Sequence, residues 1–164
     1  MNLQIFLDKI LNCYNRYYNT TKENIPSVFD AKAEFSLKQE HYMFTKSAKL
    51  SEIYSNETVF FKSCENLVIE DLEEFVKTAW ECGLEKVTPC NGHKNSDVAL
   101  VIVSQKLDKE ICKKIKKIKL SKSYKFGFYG FSNFKLCVYD IEKIKCFYNY
   151  FGKDMAKLCL RCKR

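Results

Sequence analysis

Val98-Ala99-Leu100-Val101-Ile102-Val103 is the longest clean apolar run in the chain. A strand with one wet face alternates polar and apolar residues, so an unbroken run of this kind reads as a strand covered on both faces near the middle of a sheet. The segments on either side have helical spacing. Upstream, Leu72, Phe75, Val76, Ala79 and Gly83 recur at that spacing, with Glu70, Asp71, Glu73 and Glu74 in the first turn, where the helix dipole favours negative charge. Gly83 is expected to end this helix. Downstream, Leu107, Ile111, Ile115 and Ile118 define another helix, with Asp108 placed to cap it.

Farther toward the N-terminus the period changes to two. Phe29, Ala31, Ala33, Phe35 and Leu37 alternate with Asp30, Lys32, Glu34, Ser36 and Lys38, the pattern of a strand with one buried and one wet face. A turn at Lys38 to Glu40, a strand from His41 to Leu50, a turn at Ser55-Asn56-Glu57 and a strand from Thr58 to Cys64 complete a three-stranded antiparallel meander. Before it, Leu3, Phe6, Ile10, Tyr14 and Tyr17 predict an amphipathic helix over residues 3 to 18.

On the C-terminal side, Tyr124 to Phe131 and Phe134 to Tyr139 read as aromatic strands joined through Ser132 and Asn133, with bends at Gly127 and Gly130. Lys143 to Tyr148 adds an edge strand, and Asp154 to Cys162 a short helix. The sum is an α+β fold over residues 1–164 as one domain: a single mainly antiparallel sheet of five to seven strands with three or four packed helices.

Composition narrows the class. The 164 residues are 46% hydrophobic and 15% aromatic, with 5 Gly and 2 Pro, which argues against disorder. No run approaches the ~20 apolar residues of a spanning helix, and Asp8 and Lys9 interrupt the first apolar stretch too soon for a signal peptide. A soluble cytoplasmic protein without a membrane partner is expected. The nine cysteines are an odd number scattered through core-like segments, the pattern of reduced thiols. Charge is uneven: residues 1–104 carry −4 and residues 105–164 carry +12. Such asymmetry points to an anionic partner.

Motifs for chemistry are sparse. The order helix, three strands, helix, strand is that of the restriction-nuclease-like fold, in which strand carboxylates hold a metal and a lysine activates water. Here Phe60 stands where the carboxylate of an acid-x-Lys should be, and Asp30-Ala31-Lys32 lies on the wet face of the first strand. Cys159-Leu160-Arg161-Cys162 with Cys90-Asn91-Gly92-His93 offers four soft ligands for Zn²⁺, but the halves lie far apart in sequence and Cys159 and Cys162 suit a helix face. Cys90 and His93 have no third orienting group for thiol catalysis, and Gly127-Phe128-Tyr129-Gly130 is no phosphate loop. No cofactor, no metal and no catalytic residue is assigned, and the sequence weighs against an enzyme.

One feature stands above this background. Lys109, Lys113, Lys114, Lys116 and Lys117 fill the positions that Ile111, Ile115 and Ile118 leave free, and Lys119, Lys122 and Lys125 carry the charge onward. Lysine without arginine suits diffuse attraction to phosphate. These five residues are the candidate anion-binding site, with nucleic acid or an acidic protein as partner. The bland alternative is a solvated helix face.

Phe29-Asp30, His41-Tyr42-Met43-Phe44-Thr45-Lys46, Phe61-Lys62, His93 to Ser96, Lys122-Ser123-Tyr124-Lys125-Phe126-Gly127, Gly130-Phe131 and Asn149 to Lys153 together resemble a family of small uncharacterised bacterial proteins described as a domain of unknown function. The likeness runs from the first helix to Lys153. It implies a bacterial cytoplasmic protein and supplies no activity, substrate or site. The function expected is a non-enzymatic binding or regulatory module. The alternative is a nucleic-acid-binding protein of restriction-nuclease-like fold with a degenerate or absent active site. Convergence of Asp30, Glu34, Lys46 and Lys62 in one pocket would mark the alternative, and the same groups splayed on a wet sheet face would mark the first reading.

Overall fold

In the computed structural model the described residues are 2–42 and 49–162, with the backbone alone described for 39–42 and 49–53. The elements run α1 (Leu3–Tyr14), β1 (Asn19–Thr21), β2 (Ala31–Tyr42), β3 (Lys49–Asn66), α2 (Ile69–Glu85), β4 (His93–Lys106), α3 (Lys109–Lys117), β5 (Ser121–Ser123), a 3₁₀ turn (Lys125–Gly127), β6 (Phe131–Asp140), β7 (Lys145–Tyr148) and α4 (Lys153–Arg161). Among the described residues this is an α+β fold with four helices and one seven-stranded sheet in the order β1-β2-β3-β4-β6-β5, with β7 also paired to β6. Four strand pairings are antiparallel, while β3–β4 and β4–β6 are parallel. The parallel pairs follow from the connections, since α2 and α3 each carry the chain back across the sheet between neighbouring strands.

Val98 to Val103 are all buried in β4, and their alternation divides the core. Ala99, Val101 and Val103 join Phe61, Tyr139 and Ala33 beneath Phe6, Ile10 and Tyr14 of α1 and Met155 and Cys159 of α4. Val98, Leu100 and Ile102 join Phe60, Phe134 and Leu136 beneath Leu72, Phe75 and Ala79 of α2 and Ile111 and Ile115 of α3. A central strand wedged between two helix layers has no wet face, which is why its sequence lacks alternation.

Several boundaries differ from expectation. The meander is one long hairpin: Lys38 to Glu40 and Ser55 to Glu57 lie inside β2 and β3, in register from Ala31↔Phe61 to His41↔Ser51. Ser55 and Asn56 imitate a turn because they belong to a hydrogen-bonded ladder across strands, Ser36 Oγ to Asn56 Oδ1 at 2.7 Å and Ser55 Oγ to Asn95 Oδ1 at 2.9 Å. Residues 43–48 of the expected second strand lie outside the described residues. The short edge strand β1 keeps three strands between α1 and α2. Helix α1 ends at Tyr14 rather than residue 18, and Tyr18 turns back onto Phe35 with ring centroids 5.4 Å apart.

Gly83 does not end α2, which continues to Glu85. Its role is close approach, since a Cβ there would meet Val98 Cγ2 at 2.4 Å. The expected strand from Tyr124 to Phe131 is instead the tight turn between β5 and β6, with Gly127 at φ 92° and Gly130 at φ 77°, and Phe131, Ser132 and Asn133 belong to β6. Asp108 holds the N-cap position of α3 without a side-chain capping bond. No helix among the described residues is long and apolar enough to cross a membrane.

Candidate functional site

The sequence of α3 fixes its orientation. Ile111 and Ile115 are buried against the sheet, which turns Lys109, Lys113, Lys116 and Lys117 outward as exposed side chains. Lys114 is half-buried and ion-paired with Glu73 of α2, so it is the one lysine of the five already spoken for. Lys114, Lys116 and Lys117 sit in the last turn, where the dipole favours cations. Against that gain, Lys109/Lys113 and Lys113/Lys117 are i, i+4 like-charge pairs, each destabilising by about 0.2 to 0.5 kcal/mol. An anionic surface laid along α3 relieves that repulsion.

The lysine face continues past the helix. Lys116 borders a cavity of about 460 Å³ that also takes Lys145, Phe147 and Tyr148 of β7, then Tyr150 and Lys153. Among the described residues no acidic side chain lines it. The Lys145 ammonium stands 5.6 Å from the Phe147 ring centre, and Lys119 stands 5.6 Å from that of Tyr150. Its floor is held by buried Asn149, whose Nδ2 donates to the carbonyls of Phe134 at 2.8 Å and Ile118 at 3.1 Å, while its Oδ1 accepts the Leu136 N–H at 2.9 Å. Lys145, Tyr148, Tyr150 and Lys153 were not among the expected site residues. The signal was present as lysines interleaved with aromatics from 143 to 153.

Among the described residues the nuclease-type constellation does not assemble. Asp30 pairs with Lys62 at 3.2 Å and accepts the Ser63 N–H at 2.6 Å and its hydroxyl at 2.7 Å. Glu34 pairs with Lys86 and, at 3.3 Å, with Lys32. Asp30 and Glu34 are four residues apart along extended chain, roughly 13 Å, and each group is satisfied by its own partners. Lys46 lies outside the described residues. Lys32 was expected on a wet face and is instead buried, with burial pulling its ammonium below the usual lysine range. Phe60 is buried against Phe29, ring centroids 4.8 Å apart.

The paired Cys/His motifs are likewise separated. His93 is buried at the start of β4, its Nδ1 donating to the Tyr129 carbonyl at 2.6 Å and its Nε2 meeting Ser96 Oγ at 2.8 Å, so neither nitrogen is open to a metal or to Cys90. Cys159 lies in the core beneath α4 with Cys137 and Cys146, and Cys162 Sγ lies 2.7 Å from Cys13 Sγ. Burial, with the hydrogen bond to Cys13 second, pushes the Cys162 thiol up to about 12. Among the described residues no three His, Cys, Asp or Glu side chains are grouped to hold a metal ion.

One charged constellation has no local signal in the sequence, because its members come from three strands and a loop. Lys135 of β6 bridges Glu57 of β3 and Asp97 of β4, at 3.0 Å from Asp97 Oδ2, and the Tyr18 hydroxyl donates to Glu57. Asn133 N–H and Asn95 Nδ2 complete the Asp97 carboxylate at 3.1 and 3.2 Å. Every carboxylate oxygen is occupied, so the cluster is a clamp between the loop that follows α1 and the sheet rather than a reactive centre.

No curated protein and no solved structure matches the chain. The family described as Domain of unknown function (DUF8052) matches residues 2–160, from the first residue before α1 to within one residue of the end of α4, and the chain belongs to that family.

Proposed function

We propose that this protein is a non-enzymatic binding module of the bacterial cytoplasm whose α3 lysine face engages nucleic acid. The observation that carries the reading is the continuity of exposed Lys109, Lys113, Lys116 and Lys117 with the acid-free cavity of Lys145 and Lys153, walled by Tyr148 and Tyr150. Phosphates favour clustered ammonium groups, and the flat faces beside them suit bases or sugars. The self-paired state of Asp30, Lys62 and Glu34 favours binding over hydrolysis.

Fluorescence anisotropy with short DNA and RNA duplexes across a salt series tests this. Neutralised phosphates release counterions, so log affinity falls against log salt by about −0.9 per contact on duplex DNA, or about −3.6 for four contacts. Lys113→Glu with Lys117→Glu weakens binding equally for every sequence and makes the slope shallower, because phosphate contacts do not read bases. Binding that the double reversal leaves unchanged overturns the proposal. Polyglutamate competing as well as duplex at equal charge does so too, and identifies an acidic protein as the partner.

A further inference from the structure

Two phenylalanine rings stand in solvent at the turn between β5 and β6: Phe126 is 100% exposed and Phe128 84%. Isolated exposed apolar residues are ordinary. The construction beneath these two is not. Lys125 and Phe126 lie at φ 45° and 55°, the left-handed region that side-chain-bearing residues rarely enter, and Gly127 and Gly130 follow at 92° and 77°. Such backbone persists only where its surroundings over-determine it. Here Tyr124 N–H donates to the Gly130 carbonyl at 2.9 Å, while the Gly127 and Tyr129 N–H groups donate to the Tyr124 carbonyl at 3.0 and 3.1 Å. Buried His93 grips the Tyr129 carbonyl from below, and Gly130 packs so closely on β4 that a Cβ would come within 2.6 Å of the His93 and Lys94 carbonyl oxygens. The turn is tied to itself and to β4 at each of these points, and what it displays is two bare rings.

Among the described residues the charges that flank the rings along the chain are cationic. Lys94, Lys122 and Lys125 are exposed, and from Ile111 to Tyr139 the chain carries eight lysines and no acid. The Lys125 and Lys122 ammonium groups stand 4.3 and 5.6 Å from the Tyr129 and Tyr124 ring centres, beside the phenylalanines. Lys119 and Lys122 continue the cationic line from α3 to this turn along β5, which ends the sheet order. The complement is a flexible polyanion whose charges alternate with flat apolar groups. A single nucleic-acid strand has this form, with one phosphate and one free base face per nucleotide, whereas a duplex hides its base faces in the stack.

Resting on the nucleic-acid reading of α3, we infer that Phe126 and Phe128 form a stacking platform for unpaired bases, which makes single-stranded nucleic acid the preferred ligand. Neither ring packs on the core, so Phe126→Ala with Phe128→Ala leaves the fold intact. In the full chain this pair weakens binding of an unstructured oligonucleotide about tenfold or more, while duplex affinity and its salt slope stay as in the wild type. Trp80 lines a surface cavity with Lys114 and Lys119, so the reporter is Phe126→Trp made together with Trp80→Phe, in which stacking on bases quenches the indole emission when oligo(dT) is added. Inorganic polyphosphate, which has charge without bases, does not quench it. An Ala pair that binds single strands as tightly as the wild type overturns the platform and leaves the α3 reading in place. A wild-type protein that binds no nucleic acid overturns both. A blue shift of the Phe126→Trp emission on vesicles of mixed phosphatidylcholine and phosphatidylserine, without quenching by oligo(dT), assigns the turn to a lipid surface and overturns the inference.

Discussion

Lys135 shows how much one residue carries when it bridges strands. Its ammonium is drawn in two directions: burial favours the neutral form, but Glu57 and Asp97 outweigh it and hold the group above the usual lysine range. Removing that cation leaves two carboxylates facing each other across the register pair Glu57↔Asp97. Breaking a fully buried pair costs about 3 to 5 kcal/mol. The Lys135 side chain keeps 27% of its surface in solvent, so Lys135→Met is expected to cost about 2 to 3 kcal/mol. Urea unfolding measures this, with Lys113→Met on the open face of α3 as the control, expected within about 0.5 kcal/mol of wild type. Equal effects of the two substitutions would mean that the bridge does no more than a surface lysine.

At the level of elements, Gly83 sets two general rules against each other. Glycine inside a helix costs about 1 kcal/mol relative to alanine, so Gly83→Ala would ordinarily stabilise α2. The added Cβ would stand 2.4 and 2.6 Å from the two Val98 methyls, and overpacking of this kind costs about 1 to 3 kcal/mol. The contact wins, and Gly83→Ala is expected to lower the unfolding midpoint. Combined with Val98→Ala, the loss is smaller than the sum of the two single changes, because the second makes room for the first; strict additivity would refute the contact. The same residue shows what the sequence could and could not disclose. Helix α2 was legible from its stripe and acidic first turn, and β4 from its unbroken apolar run, because both signals are local. The end of α2 was not, since a glycine that permits close packing looks like one that stops a helix. Ser55-Asn56-Glu57 looked like a turn because its polar partners, Asn95 and Ser96, lie forty residues away on β4. The α3 lysines were legible as a face, but the cavity they border and the Glu57–Lys135–Asp97 clamp arise only when strands are placed side by side.

For the whole molecule, two electrostatic effects act in opposite directions as pH rises from neutral. The net charge of +8 declines toward zero near the isoelectric point of about 8.9, which relieves self-repulsion and steadies the fold. Past that point the buried Cys137, Cys159 and Cys162 thiols and the Tyr139 phenol, all raised on the same side of the sheet, begin to weaken the fold, and three groups at the junction of α1 with the sheet add to them. Burial holds the Tyr14 phenol above its ordinary 10.0, burial with the Glu57 charge does the same for Tyr18, and the two carboxylates hold Lys135 above 10.5. Each group keeps its proton longer when folded than when unfolded. Its contribution to stability is therefore complete below the unfolded value and is lost as pH climbs toward the folded one. Each such proton steepens the decline by at most about 1.4 kcal/mol per pH unit. The expected profile of the urea midpoint is flat or gently rising to about pH 9 and falling steeply above about pH 10, with the fall shallower in Tyr18→Phe and in Lys135→Met. Because all three groups lie where α1 meets the sheet, hydrogen exchange at about pH 10.5 should loosen α1 before α2. A midpoint that holds level to about pH 11, or a loss that begins in α2, would show that net charge rather than this junction governs the alkaline limit.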